Sequence, residues 1–184
     1  AKIDQEKYKW LEFYKIKFKG SWYTRLIDKF VLKTHAEFGF LGAYNKDRGV
    51  IPFDRFFLGG DGMSQYAMDG RETVSLRGYP NQSLSDLDGS TIYNKFSLEL
   101  RYPITLKPNA SIYAHSFLES GDGFNTFREF NPFNGKRSAG LGVRIFMPAF
   151  GLLGIDFGYG FDNQFSGEID SHGWETHFVI GQQF

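Results

Sequence analysis

Apolar and polar residues alternate along most of the chain with a period of two. Successive side chains of a β-strand point to opposite faces, so this pattern predicts strands that each have one apolar and one polar face. In the run around Phe117, for example, His115, Phe117 and Glu119 share one face, while Ile112 and Leu118 lie on the other. The pattern predicts seven or eight strands. The clearest runs are 8–19, 30–42, 91–102, 110–120, 138–148, 152–162 and 174–184.

The length of these runs bears on the environment of the sheet. Most are about ten residues long, which is what a tilted strand needs to cross a bilayer. A soluble β-sandwich would also alternate, but its strands are usually nearer five or six residues. The pattern therefore favours an all-β fold, a transmembrane antiparallel β-barrel whose polar faces line the interior. Closure is expected because an unpaired backbone edge cannot face lipid.

The composition fits this interpretation and removes several others. Aromatic residues make up 18% of the 184-residue chain, yet the mean hydropathy is only −0.36, as alternation would produce. Lys+Arg and Asp+Glu each total 21, and this balance argues against a nucleic-acid partner. The chain has no cysteine, which excludes disulfides, zinc–thiolate sites and a cysteine nucleophile.

Catalytic and metal-binding patterns are weak in this sequence. His115 and Ser116 are adjacent in a predicted strand, so their side chains point to opposite faces and cannot act as a couple. The four histidines lack the spacing of metal ligands. We therefore expect no catalytic residue, no metal, no cofactor and no enzymatic activity.

One long segment, about 44–90, breaks the alternation and is expected to be a loop. Structureless loops longer than about 15 residues are usually either functional or disordered. This loop keeps aromatic residues and the short motif Leu76, Arg77, Gly78 and Tyr79. From the residues alone, Arg77 is either a solvated surface side chain or part of a functional loop.

Several motifs occur in an order that resembles a known family. The chain is similar to the C-terminal half of the barrel of BamA-type outer-membrane protein insertases, whose superfamily also includes two-partner secretion transporters. Any single motif is weak, but their order is specific. They are FFLGG at 56–60, LRGY at 76–79, SLELRYPI at 97–104, FLESG at 117–121, the hairpin at 138–162 and HFVIGQQF at 177–184. Two departures are an inserted stretch at 61–75 and Glu119 in place of the usual Asp.

The resemblance implies a particular architecture. Residues 1–184 would supply the last eight or so strands of a sixteen-stranded barrel, and the first half-barrel and the POTRA domains would lie outside this chain. The loop at about 44–90 would fold into the lumen and place Arg77 against the inner wall, with Tyr79 beside it. Gly78 would allow a sharp turn. The wall residues implied are Glu99, Phe117, Glu119 and Gly121, with Asp156 a more distant candidate.

The resemblance also implies a function. The protein would fold and insert β-barrel proteins into the Gram-negative bacterial outer membrane by capturing strands at a lateral seam. One side of the seam would be the final strand, with Phe178, Ile180, Gly181 and Phe184. Gly181 would either weaken that strand or serve as a bend or close-packing site.

The implied partners are the outer-membrane lipid bilayer, nascent β-barrel proteins, and accessory lipoproteins and periplasmic chaperones that act through the missing domains. A transporter of the same superfamily and a small structural outer-membrane barrel are the alternatives.

Overall fold

The chain is almost entirely β-structure. The computed structural model describes residues 12–44, 49–50, 52–63, 71–85, 87–148, 151–163 and 173–181. The strands are β1 (Phe13–Arg25), β2 (Val31–Ala43), β3 (Phe56–Leu58), β4 (Glu72–Val74), β5 (Ile92–Lys107), β6 (Ala110–Phe124), β7 (Lys136–Met147), β8 (Gly151–Gly160) and β9 (Trp174–Gly181), with one 3-10 turn at Pro52–Asp54. In these described ranges, no helix is long and apolar enough to cross a membrane.

Seven of the strands form one antiparallel sheet in the order β1-β2-β5-β6-β7-β8-β9. Each strand pairs with the neighbour that precedes or follows it in this order, as in a barrel wall. Over the described residues β1 and β9 do not pair with each other, so the sheet is an open arc. The predicted all-β antiparallel fold is confirmed.

Three strands run longer than the sequence pattern predicted. β1 continues past Gly20 to Arg25, because the ring of Trp22 covers the glycine and fills the space where its side chain would be. β5 continues to Lys107 through a register shift next to Pro103. A proline lacks the N–H that a ladder needs, and a bulge accommodates it. β6 extends to Phe124.

The two faces of the sheet have opposite character. On β6, Leu118 is 57% exposed on the outer face, whereas Glu119 is 4% exposed on the inner face. The same inversion holds along the sheet, as a lipid-facing surface around a polar interior requires. Large apolar side chains that are exposed on the outer face include Ile16, Phe18, Trp22, Leu98, Leu141, Phe157, Phe178 and Ile180.

The connections between strands also differ at the two ends of the sheet. At one end, few residues of sequence separate successive strands: β1 from β2, β5 from β6 and β7 from β8. At the other end, longer stretches of sequence separate β2 from β5, β6 from β7 and β8 from β9. Outer-membrane barrels have this asymmetry, with short periplasmic turns and longer extracellular loops.

The long loop folds back over the inner face and carries more regular structure than the sequence predicted. β3 and β4 lie within it and pair in parallel. The hydrophobic core lies between this loop and the wall rather than between two sheets. It consists of Leu41, Phe56, Leu58, Val74, Leu76, Tyr79, Leu84 and Tyr93.

Candidate functional site: a loop locked onto the inner wall

Arg77, at the tip of the long loop, binds Glu119 of β6 in two ways. The guanidinium donates to Glu119 Oε1 from Nε at 3.1 Å and from Nη2 at 2.7 Å. The backbone N–H of Arg77 donates to Glu119 Oε2 at 2.9 Å. Both residues are buried. One carboxylate therefore fixes the side chain and the backbone of the loop tip together.

Two further carboxylates and one ring complete the surroundings of the guanidinium. Nη2 donates to Glu99 Oε2 at 3.3 Å, and Nη1 donates to Asp156 Oδ2 at 3.1 Å. The ring of Phe117 lies with its centroid 3.8 Å from the guanidinium carbon, a cation–π contact. A planar fork of donors can bind carboxylates on β5, β6 and β8 at once, which a lysine ammonium cannot do.

Other cations balance the carboxylates around Arg77. Arg144 binds Asp156 through two hydrogen bonds of 2.6 and 2.5 Å, and Arg101 Nε donates to Glu99 Oε1 at 2.6 Å. Burial alone would lower the pKa of Arg77, but the charge of Glu119, followed by Asp156 and Glu99, raises it above its ordinary value. The site is therefore a buried network of ion pairs.

Gly78 makes the sharp turn at the loop tip and meets the last strand of the sheet. Its φ is +87°, a conformation that glycine adopts without steric cost. Its N–H donates to Nε2 of His177 on β9 at 2.8 Å. The loop tip thus contacts the terminal strand as well as the middle of the wall.

Glycines of β8 make room for this turn. A Cβ at Gly158 would lie 2.6 Å from the nitrogen of Gly78, and one at Gly160 would lie 2.6 Å from the oxygen of Gly78. Real Cβ atoms do not approach other atoms so closely. The inward glycines of β8 therefore form a slot that only a bare backbone can enter.

Tyr79 is buried and closes the end of this slot. Its hydroxyl donates to the carbonyl of Arg137 at 2.6 Å and accepts from the N–H of Asp162 at 3.2 Å. Burial raises the pKa of the phenol. The ring that packs on the guanidinium is that of Phe117.

The inserted stretch before Leu76 anchors the loop to β1, the edge strand on the opposite side of the sheet from β9. Glu72, on β4, lies 2.7 Å from Lys15 Nζ and 2.9 Å from Lys17 Nζ. Burial would raise the pKa of Glu72, but hydrogen bonds and charges from the two lysines lower it below its ordinary value. The loop therefore spans the arc of the sheet from β1 to β9.

The remaining predicted residues occupy different places. Gly121 is buried, and a Cβ there would lie 2.7 Å from the carbonyl oxygen of Asn94. Phe178 and Ile180 are exposed on the outer face of β9. A Cβ at Gly181 would meet no heavy atom of the described residues within 4 Å. Phe184 lies outside the described residues.

Sequence reasoning missed several members of the network. Asp156 was expected to be distant, yet it contacts Arg77 directly. Arg144 and His177 were not proposed as contacts, and His115, whose Nε2 lies 3.0 Å from Asp156 Oδ1, was expected only to pack in the lumen. All lie on inward positions of predicted strands, so alternation was the available signal. Within the described part of the chain, no group of three or more His, Asp or Glu side chains is arranged to hold a metal ion.

Comparison with known proteins identifies the family. The profile of the Omp85 superfamily domain matches residues 4–184. This chain belongs to the Omp85 superfamily. A search of curated proteins gave no match for this Omp85 chain.

A solved structure shares the fold of this Omp85 chain. It is the crystal structure of BamA from Haemophilus ducreyi lacking POTRA domains 1-3, with a TM-score of 0.59 and 18% sequence identity. The match covers 91% of this chain and 34% of that one. The chain thus spans about a third of the length of that protein. The superfamily and the fold together support an outer-membrane β-barrel protein.

Proposed function

We propose that this chain forms the C-terminal part of the barrel of an outer-membrane protein insertase. The complete protein would fold and insert nascent β-barrel proteins by pairing their strands with an edge of its own barrel. Such a reaction makes and breaks hydrogen bonds and requires no covalent chemistry. The observation that carries the proposal is that β9 is an edge strand of the sheet and pairs only with β8 among the described residues.

β9 has the properties that strand capture requires. It pairs with β8 and with no other strand of the described residues, so its second edge would face the first barrel strand, which we place outside this chain. Such an edge is a template for an added strand. Phe178 and Ile180 expose apolar side chains on the outer face of its described part, Trp174–Gly181. Gly181 would weaken the ladder.

The locked loop complements this edge. An insertase must loosen one seam while the rest of its barrel keeps its shape. The loop contacts β1 through Glu72, β6 through Arg77 and β9 through Gly78, so it braces the arc from inside. The first half-barrel and POTRA domains would supply the other side of the seam and the contacts with accessory lipoproteins and periplasmic chaperones.

A disulfide across the seam tests the proposal. The complete protein is reconstituted in lipid vesicles with Thr176→Cys on β9 and a second cysteine on the barrel strand that faces it. Folding of a client β-barrel is followed by its shift in gel mobility. The matched control joins Thr176→Cys to Phe157→Cys on β8, a directly opposed pair that lies away from the seam. This chain has no native cysteine that would compete.

We expect the seam disulfide to stop client folding and reduction to restore it, while the β8–β9 disulfide leaves folding unchanged. Client folding at the normal rate with a complete seam disulfide would overturn the proposal. A protein that passes a secreted partner across the vesicle but folds no client would favour the transporter alternative.

A further inference from the structure

The loop tip and the terminal strand meet through one buried histidine. His177 is 4% exposed on the inner face of β9, and its Nε2 lies 2.8 Å from the backbone nitrogen of Gly78. β9 is the last strand of the sheet, so this contact ties the edge of the wall to a loop that is anchored elsewhere. The residue is separated from Gly78 by 99 positions in the chain.

The chemistry of this hydrogen bond requires a neutral imidazole. A backbone N–H can only donate, so Nε2 of His177 must present its lone pair, and the ring proton resides on Nδ1. An imidazolium carries N–H groups on both nitrogens and has no acceptor. Protonation of His177 would therefore set two donors against each other and break the contact. Histidine is the side chain whose protonation changes most readily near neutral pH.

The surroundings make this contact sensitive to small displacements. Gly78 sits in the slot formed by Gly158 and Gly160, where a Cβ on either glycine would collide with it. Arg77 is held by Glu119 at the same time. The tip cannot follow β9 if that strand moves, so a shift of β9 away from β8 would break the bond between His177 and Gly78.

We propose that His177 is a proton-sensitive latch that holds the terminal strand to the loop tip when neutral and releases it when protonated. The proposal rests on the proposed function in one respect, because it takes β9 to be one side of the seam. It adds a control on that seam: the loop holds the edge strand from inside, and protonation loosens it.

Charged groups from each neighbouring segment face His177. Asp61 and Arg77 belong to the loop, Asp156 to β8, and Glu175 to β9 itself. Three of these groups are carboxylates, and one is a guanidinium. The protonation of His177, and with it the release of the latch, therefore depends on all four of these charged groups.

Hydrogen exchange of the complete protein in lipid nanodiscs tests the latch. Exchange of the Gly78 amide and of the 174–181 peptide is measured at pH values of about 8 and about 5, on either side of the ordinary histidine pKa. Rates are corrected for the intrinsic pH dependence of exchange. His177→Gln keeps a side-chain acceptor but does not titrate, and His177→Leu removes the acceptor. The 115–121 peptide of β6 serves as an internal control.

In the wild type we expect protection at Gly78 to fall about three- to tenfold on acidification, as the loss of one hydrogen bond implies. His177→Gln should stay protected at both pH values, and His177→Leu should be unprotected at both. Equal protection of the wild type at the two pH values would overturn the proposal. If His177→Leu does not fold, the contrast between wild type and His177→Gln still decides.

The same samples separate this proposal from the insertase function. A wild type without pH-dependent protection whose client folding is blocked by the seam disulfide would reject the latch alone. A pH-dependent latch in a protein that folds no client would support the latch and reject the insertase.

Discussion

Glu119 holds both the backbone and the side chain of Arg77, through its two different carboxylate oxygens. This arrangement couples the position of the loop to the orientation of the guanidinium. A change that releases one of the two contacts weakens the other, because the carboxylate can no longer be held at the same angle. The position of the loop is therefore expected to be sensitive to substitution of either residue.

Replacing Arg77 with Lys or Ala should lower stability in two steps. Arg77→Lys keeps the charge but loses the fork that joins Glu119, Glu99 and Asp156, and loss of charge-assisted hydrogen bonds costs about 1.5–3 kcal/mol. Arg77→Ala leaves the three carboxylates without that cation and should cost about 3–5 kcal/mol. Unfolding in denaturant, followed by tryptophan fluorescence of the complete protein in detergent, measures both. Arg128→Lys, on an exposed loop, is the control.

An Arg77→Lys protein that unfolds at the wild-type denaturant concentration would show that the fork is dispensable. A loss in Arg128→Lys of the same size would mean that the assay does not report on the buried network.

Replacing Gly158 with Ala should displace the loop tip without touching any charged group. The added Cβ would lie 2.6 Å from the nitrogen of Gly78, and backbone on both sides cannot move as a flexible side chain can. We expect faster cleavage of the long loop by an added protease. Gly173→Ala is the matched control, because a Cβ there meets no heavy atom of the described residues within 4 Å. Equal cleavage rates in the two variants would show that the loop tip does not need a glycine at position 158 in order to dock.

Removing the hydroxyl of Tyr79 should have a smaller effect. Tyr79→Phe keeps the buried ring but leaves the carbonyl of Arg137 and the N–H of Asp162 without this partner. The expected loss is about 1 kcal/mol in the free energy of unfolding. Tyr102→Phe, on the outer face of β5, serves as the control. A Tyr79→Phe protein as stable as wild type would mean that water replaces the hydroxyl in both contacts.

The sequence predicted the wall of this molecule better than it predicted the loop. Alternation alone assigned Glu99, His115 and Glu119 to the inner face, because the period of two is imposed by the backbone and does not depend on partners. The same rule failed at the C-terminal end of β5. It predicted that the strand ends at Tyr102, but the strand continues through a bulge next to Pro103.

Contacts across the lumen could not be read in the same way. The parallel pairing of β3 with β4 and the contact of His177 with Gly78 depend on how the loop lies on the wall, which no local pattern encodes. Gly158 and Gly160 looked like ordinary polar-face positions, yet their lack of a side chain decides where the tip can dock. Arg77 was found because a motif, and not a periodicity, pointed to it.

The ion pairs of Glu72 predict how stability depends on acidity at the β1 end of the loop. Because the pKa of Glu72 is lowered in the folded protein, its contribution is present above the ordinary value of 4.5 and is lost as the pH falls through the folded pKa. Glu72→Gln should therefore reduce the loss of thermal stability between pH values of about 5 and about 3. The effect is small, since this pair is partly solvated.

Thermal unfolding of wild type and Glu72→Gln over that pH range provides the measurement, with Glu129→Gln, on an exposed loop, as the control. Glu72→Gln should be less stable than wild type at neutral pH, and the two proteins should converge in acid, because protonated Glu72 no longer pairs with Lys15 and Lys17. Parallel pH profiles for wild type and Glu72→Gln would show that the loop is not held to β1 by these charges. The loop would then be anchored by the contacts of Arg77, Gly78 and Tyr79 and by the hydrophobic core between loop and wall.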